Sequence, residues 1–508
     1  MASDRVSFGS LATGGGVRPG DGPFHVLLLA DFSGRGGRGE PARPLGEQNP
    51  VFLDVDDYEQ KLARFGAEVR IPLGGDDAAA IVIRPDQIDD LHPDALFDKL
   101  EVFAALRGLR KRLSDRSTFD SAAAEVRSWA SEGAEPAAEP GESAAESAES
   151  SDDTMARLLG DRPAHADAAA AAPAKAGIDA LIRRIVAPHI VPDTDREQAA
   201  LTERIDEAVA AQMRSLLHDP GFQALEADWR SVHFLVSSLE LDEDLRLAVL
   251  DVTKVDLAAD LTAAEDLRQT GLFKLLVSQT LGTQGGEPWG VVAGAYAFDK
   301  TTADADLLGR IAKIAKAAGA PFVASASNRL AGCESIAATP DPVDWTLRAD
   351  DDAEAAWADV RKLPEAAWLA LGLPRIMLRL PYGESTEPTD RFEFEEFDGT
   401  AGHEAYLWGQ PGVVIAQVLA AGFTRDGWSL DPSLYHDVGD VPMHVYSTGG
   451  ERCVTPPAEV YLTDRAGQRL QRMGLTALLS VQGRDLVRLR GIASLSDPVT
   501  ALAGRWNG

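Results

Sequence analysis

Residues 201–236 (LTERIDEAVAAQMRSLLHDPGFQALEADWRSVHFLV) constrain the fold more than any other stretch. Apolar side chains recur at Leu201, Ile205, Val209, Met213 and Leu216/Leu217, which is one face of a helix, and charged residues fill the other face. The spacing predicts that this helix stops near His218. Asp219-Pro220-Gly221 brings a proline without an amide donor and a residue free to take positive φ. A second apolar series then restarts at Phe222, Leu225, Trp229, Val232 and Leu235. Two amphipathic helices joined by so short a break make a hairpin, and neither can bury its stripe alone. A chain organised around them is built to present packed helices, not a catalytic cleft.

At 508 residues the chain exceeds one ordinary core, so two or three domains are expected. Only two cysteines occur, Cys333 and Cys453, which gives no disulfide framework and suits a reducing cytoplasm. The first residues, MASDRVSFGSLATGGG, lack a basic head followed by an apolar run, so no signal peptide is expected. Apolar runs such as Val26–Ala30 and Ala78–Ile83 are strand-sized, and no membrane insertion is expected. The net charge of −31 disfavours phosphate binding, which excludes nucleic acid as a partner and reads as a solvated surface.

In chain order, residues 1–22 read as a loose glycine-rich arm, or an edge strand without a partner. Phe24–Phe32 is a near-continuous apolar run, as in a strand buried on both faces. Gly34, Gly36 and Gly39 then match G-x-G-x-x-G, but Glu40-Pro41-Ala42-Arg43-Pro44 cannot open the helix a dinucleotide site requires, so a flexible loop is expected. Val51–Leu62 leads into a helix, and Val69–Leu73 and Ala78–Arg84 read as strands around Gly74-Gly75-Asp76. Asp54, Asp56 and Asp57 lack the glycine and glutamate of a calcium loop and read as carboxylates at a helix start. His92 reads as a turn residue before a helix over Asp94–Leu113.

Ser131–Asp153 holds eight acidic residues among Ala, Pro, Gly and Ser, with no basic and no large apolar side chain. Such a composition cannot bury enough apolar surface to fold, so residues 131–177 read as a disordered acidic linker between 1–130 and 178–508. Beyond the hairpin, Leu245–Val252, Trp289–Phe298, Pro321–Ala326, Pro374–Pro381 and Ala458–Leu462 read as strands. On Pro374–Pro381, Ile376, Leu378 and Leu380 alternate onto one face. Asp304–Ala318, Val413–Phe423 and Gln468–Gly474 read as helices, and Ala258–Leu276 as mostly helical. Strand, helix, strand at these lengths indicates an α/β fold with parallel pairing, its mixed sheets flanked by helices.

No phosphate loop, nucleophile elbow or zinc helix is present, and the nine histidines are scattered. Cys333 reads as a buried structural thiol, not a nucleophile. Trp229, Trp289, Trp345, Trp408 and Trp428 are spaced as core anchors, a pattern that also fits interface hot spots. No catalytic, cofactor-binding or metal-binding residue is assigned, and no enzyme activity is expected.

The segment HDPGFQALEADWRSVHFLV resembles the large sheath subunit of the bacterial type VI secretion system. So do GTQGGEPWGVVAGAYAF (282–298), LLGRIAKIAKAAGAPFVASAS (307–327), LPRIMLRLPYGE (373–384), FEFEEF (392–397), YLWG (406–409) and PAEVYLTDR (457–465), in the same order. PFHVLLLADFSGR (23–35), the Phe52–Leu62 segment and IDDLHPDAL (88–96) are similar to the small sheath subunit. The resemblance implies a small sheath-subunit-like part (1–130) packed on a larger one (178–508), two polypeptides of the family fused in one chain. It implies a cytoplasmic structural protomer that self-associates into a helical sheath around an inner tube protein, meets baseplate components, and contracts. Trp229, Phe222, Leu225, Phe234, Arg379, Tyr382 and Trp408 are the candidate packing and assembly residues.

The sequence ends at Gly508, soon after LTDRAGQRLQRMGLTALLSV, where family members continue into helices and a terminal strand arm that neighbours exchange. A recycling unfoldase grips a helix near the family's large-subunit N-terminus, and Met155–Gly160 is the nearest counterpart here. Two further readings stay open. One is a non-polymerising sheath-derived adaptor, cap or regulator; the other is a nucleotide-dependent enzyme using the Gly34–Gly39 loop.

Overall fold

A computed structural model of the chain describes residues 8–11, 20–72, 80–132, 182, 185–186, 198–283, 285–399 and 402–507. The Gly74-Gly75-Asp76 turn, the acidic stretch beyond residue 132 and Met155–Gly160 lie outside the described residues.

The N-terminal part supplies strands β1 (Phe24–Ala30), β2 (Val51–Leu53), β3 (Val69–Pro72) and β4 (Ala80–Ile83). Its helices are α1 (Tyr58–Ala63), α2 (Pro93–Lys99), α3 (Glu101–Ser114) and α4 (Phe119–Glu132). The hairpin helices follow as α5 (Gln198–Leu217) and α6 (Pro220–Ser238). Proline stands at the first position of α6, and the Asp219 carboxylate accepts from the amides of Gly221 and Phe222, so one tripeptide stops one helix and caps the next. Next come β5 (Leu245–Asp251), α7 (Lys254–Thr262), β6 (Trp289–Phe298), α8 (Thr302–Ala318), β7 (Phe322–Ala326) and α9 (Asp351–Arg361). The remainder holds β8 (Leu369–Leu373), β9 (Ile376–Met377), β10 (Trp408–Gly409), α10 (Pro411–Asp426), β11 (His436–Val438), β12 (His444–Thr448) and β13 (Glu451–Thr455). It closes with α11 (Asp464–Arg472), β14 (Leu475–Ser480) and β15 (Val487–Leu489).

Nine strands form one sheet in the order β11-β15-β14-β8-β7-β6-β1-β5-β2. Strand β1 runs parallel to β5 on one side, from Phe24 opposite Leu245 to Ala30 opposite Asp251, and parallel to β6 on the other. A strand from the N-terminal part therefore sits between two strands of the C-terminal part, and all seven of its residues are buried. Its side chains alternate between two cores. Val26 and Leu28 face the hairpin, α3 and α10, whereas Leu27 and Leu29 face α7 and α8. The α/β architecture with mixed sheets flanked by helices is the one the sequence indicates. Among the described residues no helix is long and apolar enough to cross a membrane.

Several local expectations are corrected. The Asp94–Leu113 helix is two, α2 and α3, because Leu100 takes extended backbone (φ −82°, ψ 133°). Val51–Leu53 is a strand edging the sheet before α1 begins. Ala258–Leu276 is mostly helical, as expected, but in pieces: α7 ends at Thr262 and short helical segments resume from Leu267. Pro374–Pro381 is extended for only Ile376 and Met377, and its buried polar side chain is Arg379, while Leu378 and Leu380 are only partly buried. Ala458–Leu462 is no strand; Ala458 alone bridges to Ile376. Two core strands, β8 and β14, carry short apolar runs that periodicity does not separate from helix. The N-terminal arm is docked where it is described. Ser10 bridges Asp266, Lys313 Nζ donates to the Gly9 carbonyl at 2.6 Å, and the Phe8 ring occupies the space that Gly309 leaves open on α8.

Candidate functional site: the seam between the two parts

The loop after β1 closes the C-terminal ends of β1 and β5. Ser33 donates through its amide (3.1 Å) and hydroxyl (2.8 Å) to the Asp251 carboxylate. Arg35 turns inward, almost fully buried, and its guanidinium donates to both oxygens of Asp256, at 3.0 Å from Nη1 to Oδ1. The glycines make this turn possible. Gly34 has φ +69°, and a Cβ there would lie 2.8 Å from the Glu68 carbonyl oxygen. The loop expected to be flexible is thus pinned, and a side chain of the chain itself fills the place where a doubly wound sheet receives a ligand. Burial raises the Asp256 carboxyl, but the Arg35 hydrogen bonds outweigh it and hold the group below its ordinary value. Asp228 on α6 accepts from the Asp31 amide at 3.1 Å; burial, reinforced by the Asp31 charge, pushes its carboxyl well up.

The hairpin makes the other half of the seam. Trp229 is fully buried and its Nε1 donates to the Phe32 carbonyl at 3.0 Å. Phe222 and Leu225 lie in the same core, and Phe234 packs against it partly buried. Tyr58 on α1 meets His233 on α6 at 3.0 Å, and Arg110 on α3 pairs with Asp206 on α5 at 2.5 Å. Phe97 stacks on Phe392 with centroids 4.5 Å apart, and the Asp94 carboxylate accepts from the amides of Asp390 and Arg391.

Behind α6 lies a buried ion network. Arg379 donates to Glu226 (Nε–Oε1 2.7 Å) and to Glu396 (Nη1–Oε2 2.7 Å). Glu396 also accepts from the Tyr382 amide at 2.8 Å, and Arg230 donates to the Tyr382 hydroxyl at 3.0 Å. Burial works to raise the Glu396 carboxyl, but the Arg379 charge and the surrounding hydrogen bonds take it down to about 2. Trp408 stacks on His403 with centroids 4.5 Å apart, and His403 Nε2 lies 2.8 Å from Glu459. The candidate residues fall into three groups: Trp229, Phe222, Leu225 and Phe234 at the hairpin, Arg379 with Tyr382, and Trp408 apart with Met377 and Tyr406.

Sequence reasoning missed Glu226, Glu396, Arg35 and Asp256. Two signals were present. Glu226 and Arg230 interrupt α6 at i, i+4 spacing. In FEFEEF, Glu396 shares the parity of Phe392 and Phe394, so the doubled glutamate places a charge at an inward position. Cys333 is buried, and burial pushes its thiol up.

This arrangement holds segments distant in sequence together, with the buried Arg35 and Arg379 each paired to carboxylates of the chain. It defines a structural protein in which two sequence regions interlock through one sheet. The chain belongs to the type VI secretion sheath family: residues 199–496 match the family described as EvpB/VC_A0108, tail sheath N-terminal domain, and its members are structural proteins, not enzymes. Residues 5–126 match the family described as Type VI secretion system, VipA, VC_A0107 or Hcp2. The chain is also similar to the type VI secretion system sheath protein TssC1 of Pseudomonas aeruginosa, 31% identical over 312 residues, 60% of this chain and 63% of that protein. It therefore spans less than two thirds of that relative's length.

Proposed function

We propose that the chain is a fused sheath protomer, with residues 1–130 and 178–508 as the small- and large-subunit-like domains and 131–177 as their tether. Cytoplasmic copies assemble helically around an inner tube, engage baseplate components, and contract to propel the tube. An unfoldase then returns spent copies. The observation that carries the reading is the place of β1 between β5 and β6, since the two parts complete one sheet and act as one building block. Tethering makes that pairing intramolecular, at an effective concentration set by the linker. Contraction in this reading is a two-state repacking of protomers, driven by energy stored at assembly. Negative-stain electron microscopy of the purified chain should reveal helical tubes. A chain that stays monomeric in light scattering at every salt concentration would instead fit an adaptor, cap or regulator.

A further inference from the structure

Helix α11 presents its inner side, Ala466, Gly467 and Leu470, to the sheet and its outer side to solvent. On that outer side Arg465, Arg469 and Arg472 follow at helical spacing, a positive stripe on a chain whose net charge is −31. Among the described residues Arg465 and Arg472 make no ion pair, and Arg469 reaches only the Trp345 carbonyl, at 3.4 Å. Asp464 on the same helix is taken by Arg490 at 2.6 Å. Asp341 and Asp344 in the adjoining turn offset part of the charge. Val343 and Leu347, 57% and 38% exposed, flank Trp345 in sequence, so the stripe borders apolar surface.

We propose that this arginine face is the docking surface for residues 132–153 of a second copy of the chain. That segment matches it in charge, with eight acidic residues and no basic one, and its Ala, Gly, Ser and Pro residues are small enough to lie flat on a helix. Topology favours a second copy over the same one. The acidic segment follows α4, whose Ala122 and Val126 pack in the core on one side of the sheet, whereas Ala466 and Leu470 of α11 pack in the core on the other. Single exposed pairs are weak and screened by salt, so the contact acts where copies are already held close. The inference rests on the sheath reading for that proximity.

The test uses the full chain with Cys453→Ser, in two populations, one carrying Glu142→Cys and the other Gln468→Cys. Oxidation of the mixture should give a disulfide-linked dimer. Its yield should fall at least fivefold in 0.5 M salt, or when Arg465, Arg469 and Arg472 are changed to Gln. A yield no higher than with Gln60→Cys in place of Gln468→Cys overturns the proposal, as does one indifferent to salt and to the arginines. A chain carrying both cysteines that closes on itself in place of linking to another also overturns it. Electron microscopy of the same samples separates the two readings. Tubes without the arginine-dependent link leave the sheath reading standing and sink the docking; the link without tubes does the reverse.

Discussion

The Nε1 of Trp229 donates to the carbonyl oxygen of Phe32 at 3.0 Å, joining residues 197 positions apart in sequence. Phe32 stands two residues beyond the end of β1, in the strand–loop corner that Ser33 and Arg35 fasten to the strand and helix of the larger part. The bond thus fixes the height of α6 against the central strand, and the indole fills the corner between them. Everything the hairpin buries depends on that placement.

Trp229→Ala removes a fully buried ring and leaves the Phe32 carbonyl unpaired. The expected loss is about 3–5 kcal/mol for the cavity, with roughly 1 kcal/mol or more for the orphaned acceptor. Trp229→Phe keeps most of the volume and should lose far less. Denaturant unfolding followed by circular dichroism measures both, and an unchanged midpoint for the alanine variant would contradict the placement.

The position of β1 sets the outcome of cutting the chain. Residues 178–508 expressed alone would lack both β1 and β2, leaving β5 without a neighbour on either side, the β6 edge open and a strip of both cores exposed. The fragment is expected to be insoluble, and co-expression of residues 1–130 as a separate polypeptide should restore soluble complex. Soluble, cooperatively melting 178–508 on its own would show that the sheet closes without β1.

The Gly34 turn permits a sharper substitution. Adding a Cβ at φ +69° costs about 1–2 kcal/mol by conformation alone, and here it also meets the Glu68 carbonyl at 2.8 Å. Gly34→Ala should therefore destabilise by more than that, and Gly39→Ala, with open space around its Cβ, by the conformational part only. Because Arg35 fills the strand ends, titration calorimetry with ATP or NAD should register no binding to the parent chain. Saturable nucleotide binding lost in Gly36→Ala would restore the enzyme reading.

How much of this was legible in the sequence depended on whether a residue's partner lay nearby in the chain. The hairpin announced itself because the apolar stripes and Asp219-Pro220-Gly221 are local signals. Phe24–Phe32 read as a doubly buried strand because its run of apolar residues admits no solvent face. Its neighbours β5 and β6 lie more than 200 residues away, so nothing local said that it would be central. Arg35 was hidden for the same reason. Its carboxylate at Asp256 is 221 positions distant, and without it a glycine-rich loop looks mobile. The alternation of Ile376, Leu378 and Leu380 failed differently: in Pro374–Pro381, pairing with Glu226 and Glu396 outweighed hydrophobicity and turned Arg379 inward.

That buried arginine leads to the prediction with a pH axis. Glu396 is fully buried, and its carboxyl sits at about 2 in the folded chain against an ordinary 4.5. A depressed carboxyl contributes stability that is complete above the unfolded value and is lost as pH falls through the folded one. The Glu396 contribution should thus hold above about pH 4.5 and fade between there and about pH 2. Glu396→Gln removes the charge at every pH while leaving Arg379 to Glu226 alone, a half-broken buried pair that typically costs about 3–5 kcal/mol. The variant should be less stable at neutral pH, and its stability should fall less steeply than the parent's across that acid window. Paired denaturant titrations from pH 6 to 2.5 resolve the difference in slope. Identical slopes would mean that folding does not shift the Glu396 carboxyl, so that its pairing with Arg379 adds no pH-dependent stability.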